Sequence, residues 1–223
     1  MVCLSLGKTN ERKECLMTNI RPLEKILDSQ TKVAILRVLS SGADRRMGGS
    51  EIARAAGFSI PSTHDSLKAL HAAGIVTMEL FGNQHVYALN RKDRIVQKVI
   101  LPMFKTEGNW KKDAKERIVQ GMKEADVIPL VVSVILYGSV QQGSAKSGSD
   151  LDIAVIVKND IGKVKDAFLG PIAADFAAYF GIRLDPYIKT SEEFSRMLKR
   201  NSPPISMLMK AYSVLYGKEP LEI

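Results

Sequence analysis

The sequence predicts an α+β protein in two parts: a mainly helical part that ends in a β-hairpin, then an α/β part with a mixed sheet. Residues 22–90 show helical apolar spacings followed by two short β-type runs. Residues 130–157 hold two apolar strands joined by a Gly/Ser-rich connection. We expect an extension without fixed structure over 1–18, a first domain over 19–92, a linker helix over 93–108 and a second domain over 109–223.

The composition is that of a soluble globular protein. Apolar residues make up 45% and charged residues 25% of the 223-residue chain. The apolar run from Val2 to Leu6 is too short for a signal peptide, and no run approaches the roughly 20 residues of a membrane span. We therefore expect a cytoplasmic protein with no membrane partner. Cys3 and Cys15 have no further ligands at zinc-site spacing, so they do not make a zinc site.

The net charge is +8, and it is concentrated in the N-terminal part of the chain. Residues 1–95 carry 14 Lys and Arg against 9 Asp and Glu. A basic segment of this kind suits contact with a polyanion, although charge by itself is a weak signal.

The first domain is predicted from its helix boundaries. Apolar spacing indicates helices over 22–40, 51–56 and 62–73, with Ser50 as an N-cap and Gly57 and Gly74 as stops. Residues 75–80 and 85–89 then form a hairpin around Phe81-Gly82-Asn83-Gln84.

The segment SEIARAAGFSIPSTHDSLKALHAAGIV, from Ser50 to Val76, resembles the winged helix-turn-helix family. In that family the second helix of the pair enters the DNA major groove and the wing touches the backbone or minor groove. A module for protein interaction or dimerisation is the alternative. The resemblance implies DNA contacts from Ser62, Thr63, His64 and Lys68 on the helix, from Asn83, Gln84 and His85 on the wing, and to phosphates from Arg45, Arg46, Arg91 and Lys92.

Two further helices connect the domains. The first carries an apolar stripe over 95–104 that could serve as a homodimer helix, and Thr106 to Asn109 should break it. The second, over 110–125, keeps Trp110, Ala114, Ile118 and Met122 on one face, which is typical of core packing.

The second domain contains the pattern that carries chemistry. A buried strand over 130–137 ends at Gly138-Ser139, a short helical segment runs to Lys146, and a second strand over 150–157 begins with Asp150-Leu-Asp152. Glycine at a strand end lets backbone amides approach a phosphate closely. Two carboxylates two residues apart on a strand project from one face, with Cα atoms about 6.5–7 Å apart. Because such a pair is costly without cations, it predicts a metal site.

The stretch GSVQQGSAKSGSDLDIAVIV closely resembles the signature of DNA polymerase beta-like nucleotidyltransferases, especially the minimal ones. The closing KAYSVLYGKEP is also similar to the family's last helix and strand. The resemblance implies Mg²⁺, with Mn²⁺ as an alternative, held by Asp150, Asp152 and a third carboxylate, Asp185, which also takes the proton. It implies a nucleoside triphosphate bound by Gly138, Ser139, Lys146 and Ser149, and attack of a hydroxyl on the α-phosphorus.

The chain departs from the family pattern at two points. Many minimal members have Arg where Gln142 and Lys146 stand, and Gln142 cannot neutralise a phosphate. Pro186, directly after Asp185, indicates an edge strand and leaves the aim of the third carboxylate open.

Two function classes follow. The first is a nucleotidyltransferase that modifies a hydroxyl of a protein or a small molecule and carries a DNA- or protein-binding winged helix. The second is a DNA-binding transcription regulator whose nucleotidyltransferase-like domain senses nucleotide or is inactive. An antibiotic-modifying enzyme is a third alternative. Turnover with labelled nucleoside triphosphates separates the first class from the second.

Overall fold

The computed structural model of the protein describes residues 22–146 and 148–223, so the extension expected over 1–18 lies outside the described residues. The chain divides into two compact units that meet between Gly108 and Asn109. Both units combine helices with strands, and the predicted α+β class is confirmed. No helix of the described part is long and apolar enough to span a bilayer.

The first unit is three helices followed by a hairpin and a further helix. Its strands form an antiparallel sheet in the order β1–β3–β2, which is the arrangement of a winged helix. The elements are a 3-10 turn at Leu23–Lys25, α1 (Gln30–Ser40), β1 (Met47–Gly48), α2 (Gly49–Ala56), α3 (Ile60–Ala72), β2 (Val76–Phe81), β3 (Gln84–Leu89), a π-helical turn at Val96–Ile100 and α4 (Leu101–Gly108).

The helix starts differ from the predicted ones, and for α1 and α3 the reason is a capping serine at another position. Ser29 accepts a hydrogen bond from the Lys32 amide at 3.2 Å, so α1 begins there and the helix predicted over 22–40 is broken. Helix α2 starts at Gly49, which places the predicted cap Ser50 inside it. Ser59 caps α3 and accepts a hydrogen bond from the Ser62 amide at 3.3 Å. Helix α3 therefore begins at Ile60, two residues before the predicted start.

The apolar stripe of the linker helix belongs to the core of its own unit. Ile95, Val96, Ile100 and Phe104 are buried with the apolar side chains of α1, α3 and the hairpin. The stripe therefore packs within one chain, and its use as a homodimer helix stays a prediction. The predicted break between Thr106 and Asn109 is confirmed, since α4 ends at Gly108 and the next helix begins at Trp110.

The second unit is a mixed sheet between two helical layers. The sheet order is β6–β5–β4–β7, with β5 and β6 parallel and the other pairs antiparallel, so the predicted mixed sheet is confirmed. The elements are α5 (Trp110–Glu124), a 3-10 turn at Ile128–Leu130, β4 (Val131–Leu136), α6 (Gly138–Gln141), β5 (Leu151–Val157), α7 (Ile161–Ala167), a π-helical turn at Phe168–Ile172, α8 (Ala173–Phe180), β6 (Leu184–Thr190), α9 (Ser191–Lys199), α10 (Ile205–Leu208), β7 (Ser213–Gly217) and a 3-10 turn at Pro220–Glu222.

Alternation along the strands divides the core of the second unit into two layers. Ile153 and Val155 point to the layer of α5, α7 and α8, where Ala114, Ile118 and Met122 are fully buried as predicted. Ala154 and Ile156 point to the other layer, where Phe194 of α9 is buried. Because Asp152 is two residues before Ala154, its carboxylate lies on the α9 face.

Strand register aligns the functional positions in one row across the sheet. Asp152 of β5 pairs with Asp185 of β6, and the Tyr137 amide donates to the Asp152 carbonyl at 3.1 Å. Strand β6 is at the edge of the sheet, as Pro186 indicates. Two carboxylates and a phenol therefore stand side by side at the end of β4 and the start of β5 and β6.

Candidate active site

The turn after β4 closes directly onto Asp152. Gly138 has φ +79°, a conformation that favours glycine, and a Cβ at this position would lie 2.8 Å from the Asp152 Cγ and closer still to its carboxylate oxygen. The Ser139 amide donates a hydrogen bond to the same carboxylate. Glycine is thus required both by the backbone conformation and by the close approach of the carboxylate.

The carboxylates of Asp150, Asp152 and Asp185 lie close enough for their negative charges to repel one another. The pKa of Asp152 is raised, first by its burial and then by the negative charges of Asp185 and Asp150, while the bond from Ser139 acts in the opposite direction. Burial and the charges of Asp152 and Asp185 also raise the pKa of the neighbouring phenol, Tyr137, to about 12. Both shifts indicate that negative charge accumulates around Asp152.

Asp150, immediately before β5, forms an ion pair with Arg183, a residue that the sequence pattern did not indicate. The Arg183 Nε and Nη2 donate to the two Asp150 oxygens at 3.0 and 3.1 Å. The Arg183 side chain is 81% exposed, so the pair is accessible to solvent. The pairing follows from the parallel register, which sets Leu151 opposite Leu184 and hence Asp150 opposite Arg183. Only knowledge of that register could have identified it.

The donor chemistry at this end of the sheet fits a hard divalent cation. Carboxylate oxygens are the ligands that Mg²⁺ and Mn²⁺ take, and a cation would relieve the repulsion that raises the pKa of Asp152. Within residues 22–146 and 148–223, no three His, Cys, Asp or Glu side chains are gathered as a ready metal-binding group. Asp150 is held by Arg183, whereas Asp152 and Asp185 stand in one row without an ion-pair partner among the described residues.

The predicted phosphate-binding residues surround a shorter helix than expected. Helix α6 ends at Gln141 instead of running to Lys146, so its dipole contributes little. Lys146 and Ser149 close a turn in which the Lys146 amide donates to the Ser149 hydroxyl at 3.0 Å, and the Lys146 side chain is exposed. Gln142, which is also exposed, is the C-cap residue directly after α6.

A second cation that sequence reasoning missed lies beside the same helix. The Lys111 ammonium of α5 donates to the Gln141 side chain at 2.7 Å. Thirty positions separate these residues in the sequence, so no local pattern marks Lys111. It brings positive charge to a helix whose own residues carry none.

The predicted DNA-facing residues of the first unit divide into exposed and buried ones. His64, Lys68, Asn83, Gln84 and His85 are exposed, and Ser62 is half-buried. The predicted DNA contact of Thr63 is wrong, because its side chain is only 1% exposed and cannot reach a DNA groove. The cause is the helical period: Thr63 lies four residues before Leu67 and seven before Leu70, so it shares their buried face.

The predicted phosphate contacts of the first unit are partly engaged within the unit. Arg46 forms an ion pair with Glu79 at 2.6 Å. Arg45 donates to the Ser41 hydroxyl and Arg91 to the Gly42 carbonyl. Lys92 is exposed. Exposed Lys68 is thus the cation of α3 best placed to meet a phosphate.

Comparison with known proteins finds similarities to the second unit. Residues 115–201, which include Gly138, Ser139, Asp150, Asp152 and Asp185, match the family model described as "Nucleotidyltransferase domain". Over 95 residues the chain is 32% identical to the "Putative protein adenylyltransferase MJ1305" of Methanocaldococcus jannaschii. That alignment covers 40% of this chain and 60% of the length of the curated relative.

Solved structures are similar to parts of the chain at low scores. The crystal structure of NolR from Sinorhizobium fredii has 16% identity and a TM-score of 0.35, covering 48% of this chain and 98% of that one. A toxin–antitoxin structure with AMP-PNP has 20% identity and a TM-score of 0.33, covering 47% and 74%. We take no function from likenesses at this level. The family match nevertheless confirms the resemblance predicted from the Gly-Ser and Asp-x-Asp motifs, since residues 115–201 are similar to a nucleotidyltransferase domain.

Proposed function

We propose that the protein transfers a nucleoside monophosphate from a nucleoside triphosphate to a hydroxyl group, using Asp150, Asp152 and Asp185 with a divalent cation. The observation that carries this proposal is the closure of the Gly138 turn onto Asp152, which stands in register beside Asp185. The turn and the carboxylate row are the two halves of a site for a triphosphate and its cation.

Each residue has a role that its position supports. Gly138 leaves room for the Asp152 carboxylate beside the end of β4, which keeps that carboxylate next to the phosphate-binding turn. The Ser139 hydroxyl and the Lys111 and Lys146 ammonium groups bind the β- and γ-phosphates. Lys111 and Lys146 together supply the positive charge that Gln142 does not.

The transfer itself forms one bond and breaks another. The acceptor oxygen attacks the α-phosphorus in line, the bond from that phosphorus to the bridging oxygen breaks, and pyrophosphate leaves with the bonding electron pair. Asp185, which is exposed on the edge strand, accepts the proton of the hydroxyl. Mg²⁺ held by the carboxylates would neutralise charge on the phosphates and lower the pKa of the hydroxyl.

We further propose that the acceptor is a protein side chain and that the enzyme works in the cytoplasm. The curated relative is named as a protein adenylyltransferase, which favours ATP as donor and a Ser, Thr or Tyr hydroxyl as acceptor. Because Asp185 lies on an edge strand, an extended acceptor segment can reach it from the open side of the sheet.

The test is pyrophosphate release in the presence of Mg²⁺. Full-length protein is incubated with each of the four nucleoside triphosphates, alone and with a cell extract as source of acceptors, and Asp152→Asn serves as control. We expect release that depends on Mg²⁺ and on Asp152. No release with any nucleotide would favour the alternative, a regulator whose nucleotidyltransferase-like domain senses nucleotide or is inactive.

The first unit supports a second proposal, DNA binding through α3 and the wing. The winged-helix order and the exposed His64 and Lys68 favour it. Lys68→Ala should weaken binding to any duplex and lower the slope of log K against log salt by about one. Arg46→Ala is the matched control, because Arg46 is already paired with Glu79. Equal slopes for the two variants would count against DNA contact by α3.

A further inference from the structure

Side chains on one face of β6 lead from the carboxylate of Asp185 to the ammonium group of Lys189. Asp185, Tyr187 and Lys189 alternate along the strand and share one face. The Lys189 ammonium lies 5.6 Å from the centre of the Tyr187 ring, and the Tyr187 hydroxyl donates to the Met197 sulfur at 3.4 Å. The Tyr187 ring therefore connects Asp185 with the surface formed by β6 and α9.

That surface contains a groove of about 210 Å³ which we call the cationic groove. Arg196 and Arg200 stand one helical turn apart, and both are exposed. In the part of the chain that the structure describes, neither forms an ion pair. The groove is lined by Lys189, Glu193, Arg196, Met197, Arg200 and Ser202.

The single carboxylate of the cationic groove does not neutralise it. Glu193 accepts from the Thr190 amide at 3.2 Å as part of the cap of α9, and it lies 3.8 Å from the Lys189 ammonium. Arg196 and Arg200 carry like charges four residues apart, and like charges at this spacing repel each other. An anion bound between them would remove that repulsion, so the groove attracts negative charge.

We propose that the cationic groove binds Asp or Glu side chains of the acceptor protein, so that the enzyme selects a hydroxyl residue with acidic residues about four positions away. This inference rests on the proposed function and names its substrate class. Four residues of extended strand separate Asp185 from Lys189, which is about 13 Å. An extended acceptor segment along β6 would present residues at the same separation to the carboxylates and to the groove.

The charge distribution favours a short acidic segment over a nucleic-acid strand. The guanidinium groups of Arg196 and Arg200 present planar donor forks that match carboxylates. A nucleic-acid backbone carries a charge at every nucleotide and needs cations spread along a track. Here the cations are gathered in one groove, and Tyr187 and Asp185 precede them on the strand.

The test compares binding and transfer for matched peptides. Short fluorescein-labelled peptides carry one Ser, Thr or Tyr and two Glu about four positions away on either side, and in their isomers Gln replaces Glu. The full-length protein is compared with R196E/R200E, with the milder R196Q/R200Q, and with K158E/K165E, which makes the same charge change at two exposed lysines outside the groove. Fluorescence anisotropy measures peptide binding, and retained nucleotide binding shows that each variant is folded.

We expect the acidic peptides to bind at least about tenfold more tightly than their Gln isomers. The preference should disappear in both Arg196/Arg200 variants and remain in K158E/K165E, and KM for the acidic peptide should rise without a change in kcat. Equal binding of Glu and Gln peptides, or a preference that survives the Arg196/Arg200 changes, would overturn the inference. Tighter binding of a single-stranded oligonucleotide in the groove would overturn the choice of partner. If the binding preference is found without nucleotide transfer to any peptide, the groove assignment stands and the proposed function fails.

Discussion

Gly138→Ala is the perturbation whose cost the geometry defines best. Alanine must adopt φ +79°, and a left-handed conformation costs a non-glycine residue about 1–2 kcal/mol. Its Cβ would also lie 2.8 Å from the Asp152 Cγ, and relieving such overpacking costs about 1–3 kcal/mol. Together the two effects predict a loss of about 2–5 kcal/mol in the free energy of unfolding.

Gly143→Ala is the matched control for the backbone part of that cost. Gly143 has φ +70°, and no atom lies within 4 Å of where its Cβ would be. It should lose about 1–2 kcal/mol. Urea unfolding followed by the fluorescence of Trp110 measures both variants, because the chain has one tryptophan and its side chain packs on the core of the second unit.

The activity of the two variants should diverge more than their stability. A shift of Asp152 by about 1 Å should lower turnover about 100-fold in Gly138→Ala, whereas Gly143→Ala leaves Asp152 in place. Equal unfolding free energies for the two variants, or wild-type turnover in Gly138→Ala, would refute the close approach of Gly138 and Asp152 as the basis of the site.

Three further substitutions test the charges around the site. Asp152→Asn should abolish turnover without destabilising the metal-free protein near pH 7. Because folding raises the pKa of Asp152, the ionised carboxylate lowers the stability of the wild-type protein, and the variant escapes this cost. Urea unfolding should show that the variant's gain in stability disappears as the pH falls through that pKa. Arg183→Gln should lower the Mg²⁺ concentration for half-maximal pyrophosphate release, since no guanidinium competes for Asp150, and a higher requirement would contradict this. Lys111→Met should raise KM for the nucleotide about tenfold, or ~1.4 kcal/mol, while Lys112→Met should not; equal KM values would remove Lys111 from the phosphate site.

The sequence predicts those parts of the fold that depend on local pattern. Consecutive β-branched residues mark β4 and β5 because both strands are buried on two faces, and Pro186 marks β6 as an edge strand because it cannot donate to a ladder. The Gly-Ser and Asp-x-Asp motifs are also local, so the candidate site could be predicted from a few neighbouring residues. Strand β1 has only two residues and no pattern to detect.

Features that depend on distant pairing or on the competition between caps could not be predicted in this way. The Asp150–Arg183 pair and the Lys111–Gln141 bond join residues brought together only by strand register and helix packing. The burial of Thr63, in contrast, could have been predicted, because Thr63 lies four residues before Leu67 and seven before Leu70 and so shares their buried face.

A crystal soak with Mg²⁺ and a non-hydrolysable nucleoside triphosphate analogue tests the central claim most directly. We predict electron density for a cation on Asp152 and Asp185, the triphosphate on the Gly138 turn, and Asp150 released from Arg183 to join the cation. A triphosphate bound elsewhere, or a cation-free row with the Asp150–Arg183 pair intact at saturating Mg²⁺ and nucleotide, would contradict the assignment of this row as the catalytic centre.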